Sequence, residues 1–140
     1  MGRSRVAMGV LIDTNVIVAW ERREHHLKVE ELKTYAPMFV SAVTVGELYA
    51  GIYRSNAPDR IRRKEQYYDA LFSTIKILPF EEHAARIYGK IVADMMKSGS
   101  ITGKNDLMIA ATAICYALPV RTADGDFHRI PLVEVRPYEI

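Results

Sequence analysis

Asp13, Glu47, Asp106 and the pair Asp124 and Asp126 are the residues best suited to chemistry in this chain, because each stands where a short apolar run gives way to a helix or a turn. Asp13 directly follows the run ending in Leu11-Ile12, and Asp124 and Asp126 follow the run 119–122. Glu47 lies one turn into the helix after a second apolar run, and Asp106 opens the final helix. In an open parallel α/β sheet, functional groups collect at the carboxyl ends of the strands. Carboxylates gathered there would repel: two at roughly 4 Å cost about 4 kcal/mol at an effective dielectric near 20. Such a cluster requires cations or bound protons. Oxygen donors without Cys or His companions favour Mg²⁺ or Mn²⁺ over zinc. An ion of that kind keeps waters, can activate one for attack and can neutralise charge on a phosphodiester.

Each acid also has a plain structural explanation. Asp13 alone is explained by helix N-capping, Asp124 and Asp126 by the turn around Gly125, and Asp106 by the preference of helix N-termini for negative charge. Glu47 alone reads as a solvent-facing helical acid. Two patterns weigh against these explanations. Ile109, Ala110, Ala113, Ile114 and Ala117 fall three, four, seven, eight and eleven positions after Asp106, so that acid heads the apolar stripe of its helix and should point inward. Val43, Ala50 and Gly51 leave small or apolar neighbours beside Glu47.

The secondary structure carrying these acids alternates in type. Met8 to Ile12 reads as a strand, followed by a helix over Val16 to Trp20 with Asp13-Thr14 at its cap. Phe39-Val40 with Ala42-Val43 reads as a second strand, with a helix beginning at Thr44. Asn56 to Asp59 signals a turn before a helix to about Ser73, and Ile75 to Leu78 reads as a strand. The spacing of Ala84, Ile87, Tyr88, Ile91, Val92, Met95 and Met96 predicts a helix over Glu81 to Lys97, closed by Ser98-Gly99. A last helix spans Asn105 to Ala117, and strands are expected at Pro119 to Thr122 and Leu132 to Val135. This alternation implies right-handed crossovers and a mostly parallel sheet covered on both faces, a three-layer α/β/α sandwich.

Residues 1–140 are read as one domain, with 49% hydrophobic and 26% charged residues placing the chain among ordinary globular proteins. A net charge of +2 excludes a protein that holds nucleic acid by bulk charge, so any grip on a polyanion must be local. Arg54, Arg60, Arg62, Arg63 and Lys64 form the cationic stretch that could contact RNA phosphates, against the alternative of a solvated helix face. The lone cysteine, Cys115, reads as a small hydrophobe in an apolar stretch. Asp13, Thr14 and Asn15 interrupt the first apolar run, so neither a secretory signal nor a membrane span is expected, and the protein is read as cytoplasmic. His25, His26, His83 and His128 share no metal-ligand spacing. Tyr67-Tyr68 could stack on unpaired bases, although packing is the commoner role.

Leu11-Ile12-Asp13-Thr14-Asn15, the run 41–48, the run 103–113 and Thr122-Ala123-Asp124-Gly125-Asp126-Phe127 resemble the signature blocks of PIN-domain ribonucleases, above all the VapC toxins of bacterial toxin-antitoxin pairs. The blocks stand in the family's order and the likeness covers nearly the whole chain. It implies a Mg²⁺- or Mn²⁺-dependent endoribonuclease, inhibited by a cognate VapB-type antitoxin and forming a homodimer. The family's first three acids fall on Asp13, Glu47 and Asp106. The fourth falls in the final motif, with Asp124 ranked ahead of Asp126. By the same resemblance Thr14 and Asn15 support the first acid, with Asn15 helping to position water, and Thr44 and Thr122 supply hydroxyls that hold the acids. Two alternatives stand beside this reading. A catalytically silent domain of the same fold would bind RNA or a partner without cutting. An aspartyl phosphatase would use Asp13 as nucleophile, but that chemistry usually wants a second acid two residues on, where this chain has Asn15.

Overall fold

Val10, Leu11 and Ile12 illustrate how the chain builds two cores from one sheet. Successive side chains of a strand point to opposite faces. Accordingly, Leu11 packs with Ile91, Met95, Ile109, Val120 and Phe127 on one side, while Val10 and Ile12 pack with Val16, Trp20, Ile52 and Leu71 on the other. The computed structural model describes residues 9–23, 37–100 and 102–138. In chain order it contains β1 (Val10–Ile12), α1 (Thr14–Arg22), β2 (Met38–Ser41), α2 (Ala42–Tyr53), α3 (Pro58–Phe72), β3 (Lys76–Leu78), α4 (Glu82–Ser98), α5 (Lys104–Cys115), β4 (Val120–Thr122), a 3₁₀ turn (Gly125–Arg129) and β5 (Val135–Pro137).

The five strands lie in the order β3-β2-β1-β4-β5 and every adjacent pair is parallel. Helices α1, α2 and α3 supply one core and α4 and α5 the other, which makes the α/β/α sandwich expected from the alternating pattern. The chain order reverses at β1: the connections after it lead to one side, and β4 returns to pair on the other. Such a switch point opens a crevice beyond the carboxyl ends of the strands. Asp13 stands at that crevice, one residue past β1.

Several boundaries differ from the sequence-based expectation, each for a local reason. The second strand ends at Ser41 and its helix begins at Ala42 rather than Thr44, because the Ser41 hydroxyl accepts the Val43 N–H at 3.0 Å and caps the helix there. The last helix ends at Cys115 rather than Ala117. Ala117 turns left-handed with φ 57°, and the Leu118 N–H reaches back to the Ala113 carbonyl at 2.9 Å, closing a Schellman-type end without glycine. Gly99, with φ 75°, closes α4 in the same way through Ser100 N–H to Met95 carbonyl at 3.0 Å. The final strand lies at Val135–Pro137, not Leu132–Val135, since Leu132 adopts φ 71° in an exposed turn. Pro137 is tolerated there because β5 is an edge strand. Met8 of the first expected strand, and His25 and His26, lie outside the described residues.

Tyr68 is 3% exposed and its ring stacks on Phe72, so it packs in the core rather than offering a face to bases. Cys115 is partly buried, and His83 and His128 are exposed. Among the described residues no helix is long and apolar enough to cross a membrane.

Phe127, fully buried in the 3₁₀ turn, ties the loop carrying Asp124 to the α4/α5 core. Phe127→Ala is expected to destabilise the fold by about 3–5 kcal/mol, the usual cost of emptying an aromatic core site; urea unfolding would measure it, and a change below about 1 kcal/mol would show that the turn is not anchored by this ring.

Candidate active site

Asp13 terminates β1 while starting α1. Its backbone N–H still donates to the Arg121 carbonyl of β4 at 3.0 Å, and its own carbonyl already accepts from Val16 at 3.1 Å. Its side chain is 3% exposed and both oxygens are engaged: Oδ1 accepts the Thr14 N–H at 2.7 Å, and Oδ2 accepts the Thr122 hydroxyl at 2.7 Å. The capping explanation and a second role therefore coexist. The Thr122 hydroxyl in turn accepts the Asp124 N–H at 2.9 Å and the Asn15 amide at 3.4 Å, while the Asn15 carbonyl oxygen accepts the Ala123 N–H at 3.2 Å. One buried hydroxyl thus joins the end of β1 to the end of β4. The Asn15 side chain, which the resemblance gives a part in placing water, commits its amide to that same junction.

Glu47 is held from two directions. The Thr14 hydroxyl donates to Oε1 at 2.5 Å and lies 3.0 Å from the hydroxyl of Thr44, which is fully buried; the Asn105 amide donates to Oε2 at 2.8 Å. Asp106, in the first turn of α5, is partly buried. Asp13, Glu47, Asp106 and Asp124 line one cavity of about 670 Å³ at the carboxyl ends of β1 and β4, together with Asn15 and Arg22. Asp126 does not line it: this acid is exposed, and its carboxylate lies 3.7 Å from Arg129. Asp124 also caps the 3₁₀ turn by accepting the Asp126 N–H at 2.9 Å.

The electrostatics follow from that crowding. Burial pushes the Asp13 carboxyl up to about 6; its bonds to Thr122 and Thr14 pull it down, and Glu47 and Asp124 push it further up. Asp106 is also pushed up to about 6, first by burial and then by Asp13, Asp124, Glu47 and Asp126. A helix N-terminus favours a carboxylate by about 0.3–1 kcal/mol. Desolvation and like charges outweigh it at Asp106.

Asp13, Glu47, Asp106 and Asp124 are the carboxylates this cavity would offer a cation. Among the described residues, no three acidic, His or Cys side chains are gathered closely enough to hold a metal ion between them. The acids face a common space, an arrangement compatible with Mg²⁺, which is usually bound through one or two carboxylates while retaining waters. Three residues in the site were not singled out as functional from the sequence: Asn105, Arg22 and Arg23. Asn105 directly precedes Asp106, and Arg22 lies seven residues after Asn15 on the same face of α1, so spacing carried a signal for these two. The cationic stretch divides. Arg62 pairs with Asp59 on the exposed side of α3, whereas Arg54, Arg60, Arg63 and Lys64 line a second cavity beside the acids.

A carboxyl raised in the folded state binds protons that the unfolded chain has already released, so it favours folding below about pH 4 and that contribution is lost as pH rises through about 6. Asp106→Asn is accordingly expected to stabilise the metal-free protein at pH 7.5, by roughly 1 kcal/mol or about 3 °C after allowing for solvent screening. The gain should vanish near pH 4. Melting curves at the two pH values check this, and an Asn variant no more stable than the parent at pH 7.5 would show that the carboxylates do not strain one another.

A family model described as PIN domain matches residues 10–132. Ribonuclease VapC of Rickettsia bellii (strain RML369-C) is 33% identical over 129 residues, covering 91% of this chain and 95% of that protein. Ribonuclease VapC5 of Mycobacterium tuberculosis is 33% identical over 121 residues, covering 86% of each. Among solved structures, the DNA-bound VapBC from Salmonella typhimurium superposes with a TM-score of 0.81 at 27% identity, over 92% of this chain and 97% of that one. Parallel sheet, crevice acids and end-to-end similarity thus agree, and the chain belongs to the PIN-domain family, among its VapC-type members.

Proposed function

We propose that this protein is a Mg²⁺- or Mn²⁺-dependent endoribonuclease acting in the cytoplasm as the toxin of a type II toxin-antitoxin pair. The observation that carries the reading is the meeting of Asp13, Glu47, Asp106 and Asp124, from four separate elements, around one cavity in which two carboxyls are pushed up to about 6. Carboxyls pushed up first by burial and then by neighbouring acids are short of positive charge. A binding-only domain would gain nothing from that strain. The names of the relatives, ribonucleases called VapC and a solved complex called VapBC, support RNA as substrate and a VapB-type antitoxin as partner. Homodimerisation rests on the same likeness.

In this reading Asp13, Glu47, Asp106 and Asp124 hold the divalent ion, with Asp126 exposed at the outer edge. When bound, the ion supplies charge neutralisation at the phosphodiester and acidifies water for attack. The chain's own contribution is placement. The Thr122 hydroxyl and Thr14 N–H fix the Asp13 carboxylate, so its oxygens need little reorganisation. The Thr14 hydroxyl and Asn105 amide orient Glu47, and Asn15 keeps the β4 end in register with β1.

Purified protein is expected to cleave single-stranded RNA with Mg²⁺ or Mn²⁺, to stop with EDTA, and to lose at least about 100-fold in rate in Asp13→Asn and Asp106→Asn, a loss typical of removing a metal-holding or electrostatic group. Because metal must displace protons from Asp13 and Asp106, cleavage at limiting metal should fall as pH drops through about 6. Gel assays on a labelled oligonucleotide measure all four effects. Undiminished cleavage by either Asn variant, or cleavage in EDTA, would refute the assignment.

A further inference from the structure

The acid-lined cavity shares Thr14, Val18, Arg22 and Glu47 with a neighbouring cavity of about 630 Å³ whose other walls carry Arg54 from the end of α2 and Arg60, Arg63 and Lys64 from α3. Two helices bring these cations to one place. Glu47, Gly51 and Arg54 fall at i, i+4 and i+7 on one face of α2, so the helix runs from an acid to a cation over about 10.5 Å. Arg60, Arg63 and Lys64 fall at i, i+3 and i+4 on one face of α3. Gly51 leaves the floor low: a β-carbon there would meet only the Arg54 guanidinium, at 3.7 Å. Lys64 pairs with Glu21 of α1 at 3.3 Å across the cavity. Among the described residues, Arg22, Arg54, Arg60 and Arg63 face no carboxylate in an ion pair.

Resting on the proposed ribonuclease activity, we infer that this basic cavity is a phosphate subsite, in which Arg54, Arg60 and Arg63 hold the backbone of single-stranded RNA on one side of the bond presented to Asp13, Glu47, Asp106 and Asp124. A strand whose scissile phosphate lies at the acids must carry its next phosphates past a wall of the same crevice. That wall is the cationic one. Guanidinium groups suit phosphate by bidentate hydrogen bonding, and on a chain of net charge +2 the grip has to be concentrated in such a patch. The aromatic ring lining this cavity, Tyr68, is buried against Phe72, so the subsite holds phosphates without stacking bases. Cleavage preference on this side of the bond then follows strand geometry rather than base identity.

The experiment measures binding of a labelled single-stranded RNA oligonucleotide to the full chain in EDTA, as a function of salt, by fluorescence anisotropy. Arg60→Ala and Arg63→Ala are each expected to weaken binding on the order of 5- to 10-fold and to flatten the slope of log affinity against log salt by about 0.7 for each phosphate no longer neutralised. Arg86→Ala, on α4 in an exposed pair with Glu82, is the charge-matched control and should leave the slope unchanged. Gly51→Leu adds bulk at the floor without altering charge and should lower affinity while melting no lower than the parent. Binding in EDTA does not depend on turnover, so a protein that fails to cut RNA but shows these slopes retains the subsite and loses the nuclease reading. Equal slopes for parent, Arg60→Ala and Arg63→Ala, or an equal loss in Arg86→Ala, would overturn the inference and pass the cations to a protein partner or to bulk solvent.

Discussion

Burial of carboxylates that share one cavity, with their mutual repulsion added to it, is the constraint around which this molecule is arranged. Desolvating a carboxylate disfavours its charged form, and like charges nearby add to that cost, in a domain whose whole stability is only about 5–15 kcal/mol. The cost is visible in the upward push on Asp13 and Asp106, made first by burial and then by the neighbouring acids. A fold keeps such a cluster only if the surrounding scaffold resists its splaying apart. The parallel sheet does so by covering both faces with packed helices, so that the crevice at the strand ends is backed by two cores rather than one.

Within that scaffold, hydroxyls and amides do the local holding. Thr122 serves three partners at once and Thr14 reaches both Thr44 and Glu47, all without adding charge. Neutral donors suit the place. A Lys or Arg in the same positions would cancel the negative field of the carboxylates, whereas a hydroxyl fixes direction and leaves most of that field intact. Arg22 and Arg23 stand in the wall of the acid cavity, while Arg54, Arg60, Arg63 and Lys64 are kept one step away, in the neighbouring cavity beyond Glu47. Acid pocket and basic wall are thus two parts of one crevice, and the shared residues Thr14 and Glu47 are the seam.

Similarity to VapC ribonucleases at about one-third identity means that most side chains differ from those of the relatives. The acids and their hydroxyl supports sit on backbone segments defined by strand ends and helix caps. Those segments depend on pattern more than on particular core residues. Substitution in the cores therefore leaves the site's placement largely intact, and specificity is free to vary in the loops and surface charges around it.

Residue order alone dictates the alternation of strands and helices, hence the three-layer class, because apolar periodicity and Gly or Pro punctuation act locally. It also marks the acids at strand and helix boundaries, where a polar residue beside an apolar run is conspicuous. Local signals misplaced the start of α2, the end of α5 and the position of β5, since Ser41 capping, the left-handed Ala117 and the turn at Leu132 are settled by hydrogen bonds and backbone angles that residue type only weakly encodes. Long-range packing was needed to bring Asp124 rather than Asp126 to the cavity, to set Asn105 against Glu47, and to split the cationic stretch between a paired surface Arg62 and a wall beside the acids. The hydrogen bonds that assemble the site reach as far as the 109 positions between Asp13 and Thr122. Pairings at that range are fixed by sheet order and crossover geometry, which no window of sequence contains.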